Sequence, residues 1–156
     1  MFLKSNDEER MFMERALALA QKAFHDNEVP IGAIVVDEKG NVIGQGYNQI
    51  EKKQCQDAHA EMEAIRQAAA HKKTWRLDDC VLYVTIEPCT MCYGVLRLSR
   101  IHKLVFGAVS PVFGYHLDKD SFLSVYNNDT LLVKGGVLKE ACAEIVKLFF
   151  QEKRVL

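Results

Sequence analysis

Proline and glycine are sparse in this chain, with 3 and 9 among 156 residues, and no stretch is dominated by a few polar residue types, which excludes collagen-like, low-complexity and disordered classes. Nor does any apolar run approach the ~20 residues that a membrane-spanning helix needs. The first residues, Met1-Phe2-Leu3-Lys4-Ser5-Asn6-Asp7-Glu8, turn acidic where a secretory signal would stay apolar, so the expected location is the cytoplasm, with no membrane contact. Neither sign of charge is in excess. The 20 Lys and Arg against 21 Asp and Glu give a net charge of -1, which decides nothing about nucleic acid, because a local basic surface is what matters. Five cysteines are an odd number in a chain without a secretion signal, and disulfides are not expected. What is present is ordinary for a globular protein: 49% hydrophobic and 26% charged residues, in a length that suits one domain over residues 1–156.

Ser5 with Glu8 makes a capping-box pattern, and Phe12, Ala16, Leu19, Ala20 and Ala23 follow at helical spacing, which predicts an amphipathic first helix. Ile31 to Val36 and Val42 to Tyr47 are short runs rich in β-branched residues on either side of Asp37-Glu38-Lys39-Gly40-Asn41, an antiparallel hairpin in which Gly44 and Gly46 point to close packing or a bulge. A polar loop over residues 49–57 leads to a helix from about Ala58 to His71, with Met62, Ile65 and Ala69 on one face. Cys80 to Ile86 is nearly all apolar, the pattern of a central strand covered on both faces. It leads through Glu87-Pro88-Cys89 into a helix of roughly Thr90 to Ser99 that is apolar on more than one side. A strand at Lys103 to Ala108, a short helix at Ser121 to Tyr126, a short strand at Leu131 to Val133 and a last helix from about Leu138 to Lys153 complete the reading. This alternation predicts an α/β sheet between helices, with parallel neighbours in the region from Cys80 to Ala108.

Two motifs carry chemistry. Cys89 and Cys92 stand three apart on one side of a first helical turn that Pro88 opens, so both thiolates can grip one ion. His59 and Glu61, two apart, converge on the same ion only if it lies beyond the N-terminus of their helix, so two helix starts must face one another. His59, Cys89 and Cys92 are one ligand short of a structural zinc shell, which leaves the fourth position for water. Zinc lowers the pKa of such a water to about 7, and Glu61 beside it can carry protons, which describes a hydrolytic site with one Zn2+ per chain.

Each motif alone is ambiguous. A lone H-x-E is commonly a surface histidine beside a solvated glutamate, and a lone C-x-x-C can be a thioredoxin-like redox pair. Together, H-x-E opening one helix and P-C-x-x-C opening the next make the signature of zinc nucleobase deaminases. A zinc-stabilised binding module without catalysis would instead close the shell with Cys55, Cys80 or His116 and would have no use for Glu61.

With these residues in view, the chain resembles the cytidine deaminase-like superfamily and, within it, is similar to the bacterial tRNA-specific adenosine deaminases. Beyond the zinc motifs the resemblance runs through Glu28-Val29-Pro30-Ile31-Gly32-Ala33, Gly46-Tyr47-Asn48, Trp75-Arg76-Leu77, Leu82-Tyr83-Val84-Thr85, Ser99-Arg100-Ile101, Val105-Phe106-Gly107-Ala108 and Phe149-Phe150. It implies a three-layer α/β/α cytidine deaminase-like fold with a mixed, roughly five-stranded sheet and a homodimer. It also implies hydrolytic deamination of adenosine to inosine at the wobble position of a tRNA anticodon stem-loop, with the base flipped into the pocket. By the same carry-over Glu61 is the proton shuttle, Asn48 bonds the substrate nucleoside, and Glu28 and Val29 are pocket wall. Residues 109–120 keep little of the family's basic, glycine-rich segment, and Asn127-Asn128-Asp129 replaces its Asn-His pair; both regions bear on how RNA is held. The alternative within enzymes is a zinc deaminase of a free base or nucleoside such as guanine, cytosine or cytidine. Lys147, Phe149, Phe150, Lys153 and Arg154 mix aromatics and cations as an RNA-contacting helix could, although a helix packing one phenylalanine into the core would look the same.

Overall fold

Ser5 opens helix α1 (Asn6–His25) with both halves of a capping box, its hydroxyl accepting from the Glu8 N–H and the Glu8 carboxylate accepting from the Ser5 N–H, each at 3.2 Å. The computed structural model describes residues 5–118 and 131–154. After α1 come strands β1 (Gly32–Val36) and β2 (Val42–Tyr47), helices α2 (Ile50–Lys53) and α3 (Ala60–Lys72), β3 (Val81–Ile86), α4 (Thr90–Leu98) and β4 (Lys103–Ala108). A 3₁₀ turn (Tyr115–Asp118), β5 (Leu132–Lys134) and α5 (Lys139–Arg154) follow. The short helix expected at residues 121–126 lies outside the described residues.

The five strands form one sheet in the order β2-β1-β3-β4-β5. β1 is antiparallel to β2 and β3, while β3, β4 and β5 run parallel, so the sheet is mixed as the resemblance implied. Period-2 alternation assigns the two cores. Ala33, Val35, Leu82, Val84, Leu104 and Phe106 pack with α3 on one face, and Ile34, Val36, Val81, Tyr83 and Val105 pack with α1 and Cys142 of α5 on the other. Strands buried on both sides between helices make the three-layer architecture.

Two elements differ from expectation. The polar segment after Gln49 contains α2, because the buried carboxylate of Glu28 accepts from the N–H groups of Glu51 and Lys52 at 3.3 and 2.7 Å, an N-terminal cap supplied from far upstream. The buried face of α3 is Ala60, Glu61, Ala64, Ile65 and Ala68, so of Met62, Ile65 and Ala69 only Ile65 lies on it. Gly44 and Gly46 turn the helix this way. A Cβ on Gly46 would sit 2.5 Å from the Ala60 carbonyl oxygen, and one on Gly44 would overlap the Ala64 carbonyl, so α3 lies with its alanines directly on β2.

One buried charge cluster ties the layers together. Glu9 of α1 is 1% exposed and meets Lys103 of β4 at 2.6 Å and Lys134 of β5. Burial works to raise the carboxyl pKa, but hydrogen bonds and charge from the two lysines outweigh it and hold Glu9 below the usual carboxylate range. No helix among the described residues is long and apolar enough to cross a membrane.

Candidate metal centre

Strand directions bring the chemistry to one end of the sheet. β1 is antiparallel to β3, with Ala33 opposite Val84, so the start of β1 lies beside the end of β3; Gly32 opposite Tyr47 puts the end of β2 there as well. Three connections meet at that end: Glu28 to Ile31 entering β1, Asn48 leaving β2, and Glu87-Pro88-Cys89 leaving β3. Ligands of layered α/β folds bind at such a place, where strands end and helices begin.

His59 is the residue that precedes α3 and Cys89 the one that precedes α4, each with extended backbone (φ -80°, ψ 153° and φ -70°, ψ 169°) and neither bonding its own helix through its side chain. The two helix starts therefore face one another as the spacing of the motifs requires. His59 Nδ1 lies 3.4 Å from Cys92 Sγ and 3.7 Å from Cys89 Sγ. The three ligand atoms all fall within 4.8 Å of one another, and no other described His, Cys, Asp or Glu joins that group. One nitrogen and two sulfurs suit zinc, and three protein donors leave a coordination position open. The other thiols and His116 that could have closed the shell are engaged elsewhere: Cys55 Sγ on Asp57 at 2.8 Å, Cys80 Sγ on Asp79 at 3.4 Å, and His116 Nδ1 on Glu87 at 2.8 Å.

Charge at the cluster is divided among neighbours. The hydrogen bond from Cys92, helped against burial by His59, lowers the Cys89 thiol to about 4. The same bond, with burial and the nearby Glu61, pushes the Cys92 thiol up. Contact with the Cys89 sulfur raises the His59 imidazole against the effect of burial. Glu61, in the first turn of α3, is 4% exposed, and burial pushes its carboxyl up to about 7. A carboxyl poised near neutrality beside a metal site can both take and give protons.

The pocket residues suggested by resemblance fall at the same end of the sheet. Asn48 is buried, and its Oδ1 accepts from the Ala60 N–H at 3.1 Å, which fixes its amide against the start of α3. Val29 is half-buried, and both Glu28 oxygens are engaged on α2. Phe149 packs against Phe24 with ring centroids 5.7 Å apart and belongs to the core, whereas Phe150 is 43% exposed. Sequence reasoning missed Glu87 as a site residue. It is buried beside the cysteine pair and bonded to residues 110–116, and no spacing rule links it to partners that far away.

Comparison with known proteins agrees with the donor set. The family described as the cytidine and deoxycytidylate deaminase zinc-binding region matches residues 6–108. A tRNA-specific adenosine deaminase of Haemophilus influenzae is 42% identical over 153 residues, covering 97% of this chain and 88% of the relative. A structure solved in a study of A-to-I editing by tRNA:A34 deaminases at the wobble position of transfer RNA superimposes with a TM-score of 0.77 at 37% identity, covering 86% of this chain and 98% of that one. The guanine deaminase from Nitrosomonas europaea has a TM-score of 0.80 at 25% identity, covering 90% of this chain and 83% of that one.

Proposed function

We propose that this chain, which belongs to the cytidine and deoxycytidylate deaminase zinc-binding family, hydrolyses adenosine to inosine and ammonia at the wobble position of a tRNA anticodon. The observation that carries the chemistry is the three-donor cluster with a buried glutamate beside it. Similarity over nearly the whole chain to tRNA-specific adenosine deaminases supports the substrate.

His59, Cys89 and Cys92 would hold the zinc. When bound, the metal supplies the Lewis acid that makes water a nucleophile at neutral pH. Glu61 would take one proton from the attacking water at a carboxylate oxygen and pass it to the purine ring nitrogen, then take the second from the new hydroxyl on C6 and pass it to the departing amine, which leaves as ammonia. Asn48 orients the nucleoside with the amide N–H donors left over from its bond to Ala60. Glu28 and Val29 wall the pocket, Glu28 through its backbone, since its carboxylate is engaged on α2. The working unit is a cytoplasmic homodimer joined through α4, whose Met91 and Leu98 are 40% and 67% exposed.

One observation favours a second reading. Residues 109–120, where RNA would be held, carry Lys119 as their one lysine or arginine, which suits a deaminase of a free base such as guanine. The test is to offer the purified protein an anticodon stem-loop with a wobble adenosine and, separately, guanine, cytosine, adenosine and cytidine, measuring inosine and ammonia. Inosine in the stem-loop is the expected result, and ammonia from a free base alone would overturn it.

A further inference from the structure

We propose that Glu87 is a positioning residue for substrate binding, holding residues 110–118 against the zinc-site turn so that Val112 and Phe113 form an apolar lip that stacks a nucleobase next to the reacting one. The inference rests on the RNA reading above. Glu87 is 4% exposed, and a carboxylate so buried is stable only with several donors. All the donors shown come from one stretch: the N–H groups of Ser110 and His116, each at 3.1 Å, and His116 Nδ1 at 2.8 Å from both oxygens. The carboxylate thus fastens a distant segment to the turn that carries Cys89.

Further contacts fix the same segment. Gly114 forms a β-bridge with Cys89, and the Tyr115 N–H donates to the Pro88 carbonyl at 2.9 Å. Tyr115 stacks on Tyr93 of α4 with centroids 4.0 Å apart, and Thr90 bonds Asp118. A Cβ on Gly114 would overlap the Glu87 carboxylate, so only glycine lets the two approach. A stretch held this way is ordered, yet Val112 and Phe113 within it are 67% and 75% exposed.

Position and charge select the occupant. Phe113 directly precedes the residue bridged to Cys89, so a strand that delivers a flipped base to the metal passes this lip. Val112 and Phe113 have no lysine or arginine beside them within residues 109–118 to meet a phosphate, and His116 is taken up by Glu87, so what the lip offers is an apolar face suited to a base. A pre-ordered exposed aromatic is what single-stranded RNA stacks on.

The test compares the parent, Phe113→Ala and Glu87→Ala on the anticodon stem-loop and on stem-loops made abasic on either side of the wobble adenosine. Stacking worth about 1–3 kcal/mol per base predicts that Phe113→Ala raises KM by roughly 5- to 150-fold, with kcat and zinc content near those of the parent. Removing one flanking base should raise the parent's KM by a similar factor and add nothing in Phe113→Ala, a coupling that a merely structural role would not produce. Glu87→Ala should show the same rise coupled to the same base. Gly114→Ala, which presses on the same carboxylate, should repeat it and serves as the second variant if Glu87→Ala folds poorly. An unchanged KM in Phe113→Ala, a rise independent of both flanking bases, or a Phe113→Ala protein that loses activity by losing its dimer would each overturn the lip. Glu87→Ala or Gly114→Ala with the parent's KM would overturn the latch. A parent inactive on the stem-loop overturns the RNA reading and the lip together, whereas an active parent with an unaltered Phe113→Ala overturns the lip alone.

Discussion

Glu61 is placed where a carboxylate is costly to charge and useful when it is, buried in the first turn of α3 with its carboxyl pushed up to about 7. It is absent from the three-donor group, so metal binding and proton transfer are separable. Glu61→Ala is expected to keep one zinc per chain by elemental analysis while losing about 10²- to 10⁴-fold in kcat, the range for a positioned proton carrier. His59→Ala should differ in kind and lose the metal with the activity. A Glu61→Ala protein with near-parent turnover would falsify the mechanism. Asn48 joins the same argument at the neighbouring position, since Asn48→Ala removes the acceptor on the Ala60 N–H and, on the proposed reading, the donors that would face the nucleoside. Its expected signature is a raised KM together with a stability loss of about 1 kcal/mol in denaturant unfolding.

Among the elements, α3 and α5 make separate predictions. α3 delivers His59 and Glu61 only because β2 lets it lie close, and Gly46→Ala would press a methyl group against the Ala60 carbonyl and the side chain of Glu63. Such overpacking costs about 1–3 kcal/mol. Because the strain falls at the very start of α3, zinc affinity measured by chelator competition should fall along with the melting temperature; a variant that loses stability and keeps its affinity would separate the two. α5 places Lys147, Phe150, Lys153 and Arg154 at the surface, with Lys153 also bonded to Asn27 at 3.1 Å and lying over the Phe149 ring. If this helix meets phosphates, replacing Lys153 and Arg154 together should weaken stem-loop binding and reduce its salt dependence by about one to two in log–log slope while zinc content stays put.

At the scale of the whole molecule, acid stability turns on Glu9. Its folded-state pKa is lowered, so its contribution is fully present above the ordinary value of 4.5 and is lost as pH falls through the lower folded-state value. Glu9→Gln should therefore lower the melting temperature near neutrality and flatten its decline below about pH 4.5, where the parent loses the same contribution. Equal slopes in the two proteins would show that the Lys103 and Lys134 contacts do not carry acid stability.

The sequence by itself determined what depends on near neighbours along the chain. H-x-E and P-C-x-x-C were legible because ligand spacing and helix starts are local, and the burial of β3 on both faces was legible in its nearly unbroken apolar run. The cap on α1 was readable from Ser5 and Glu8 for the same reason. What only the tertiary structure decided are contacts between residues that no period connects. Glu28 caps α2 across 23 and 24 residues, Glu87 takes its donors across 23 and 29, and Glu9 finds its lysines across 94 and 125. The buried face of α3 belongs with these, since its alanines were selected by glycines on another element. A buried carboxylate announces in the sequence that it needs partners, but which donors reach it depends on the order and direction of strands, and those are fixed only when the sheet closes over its two layers of helices.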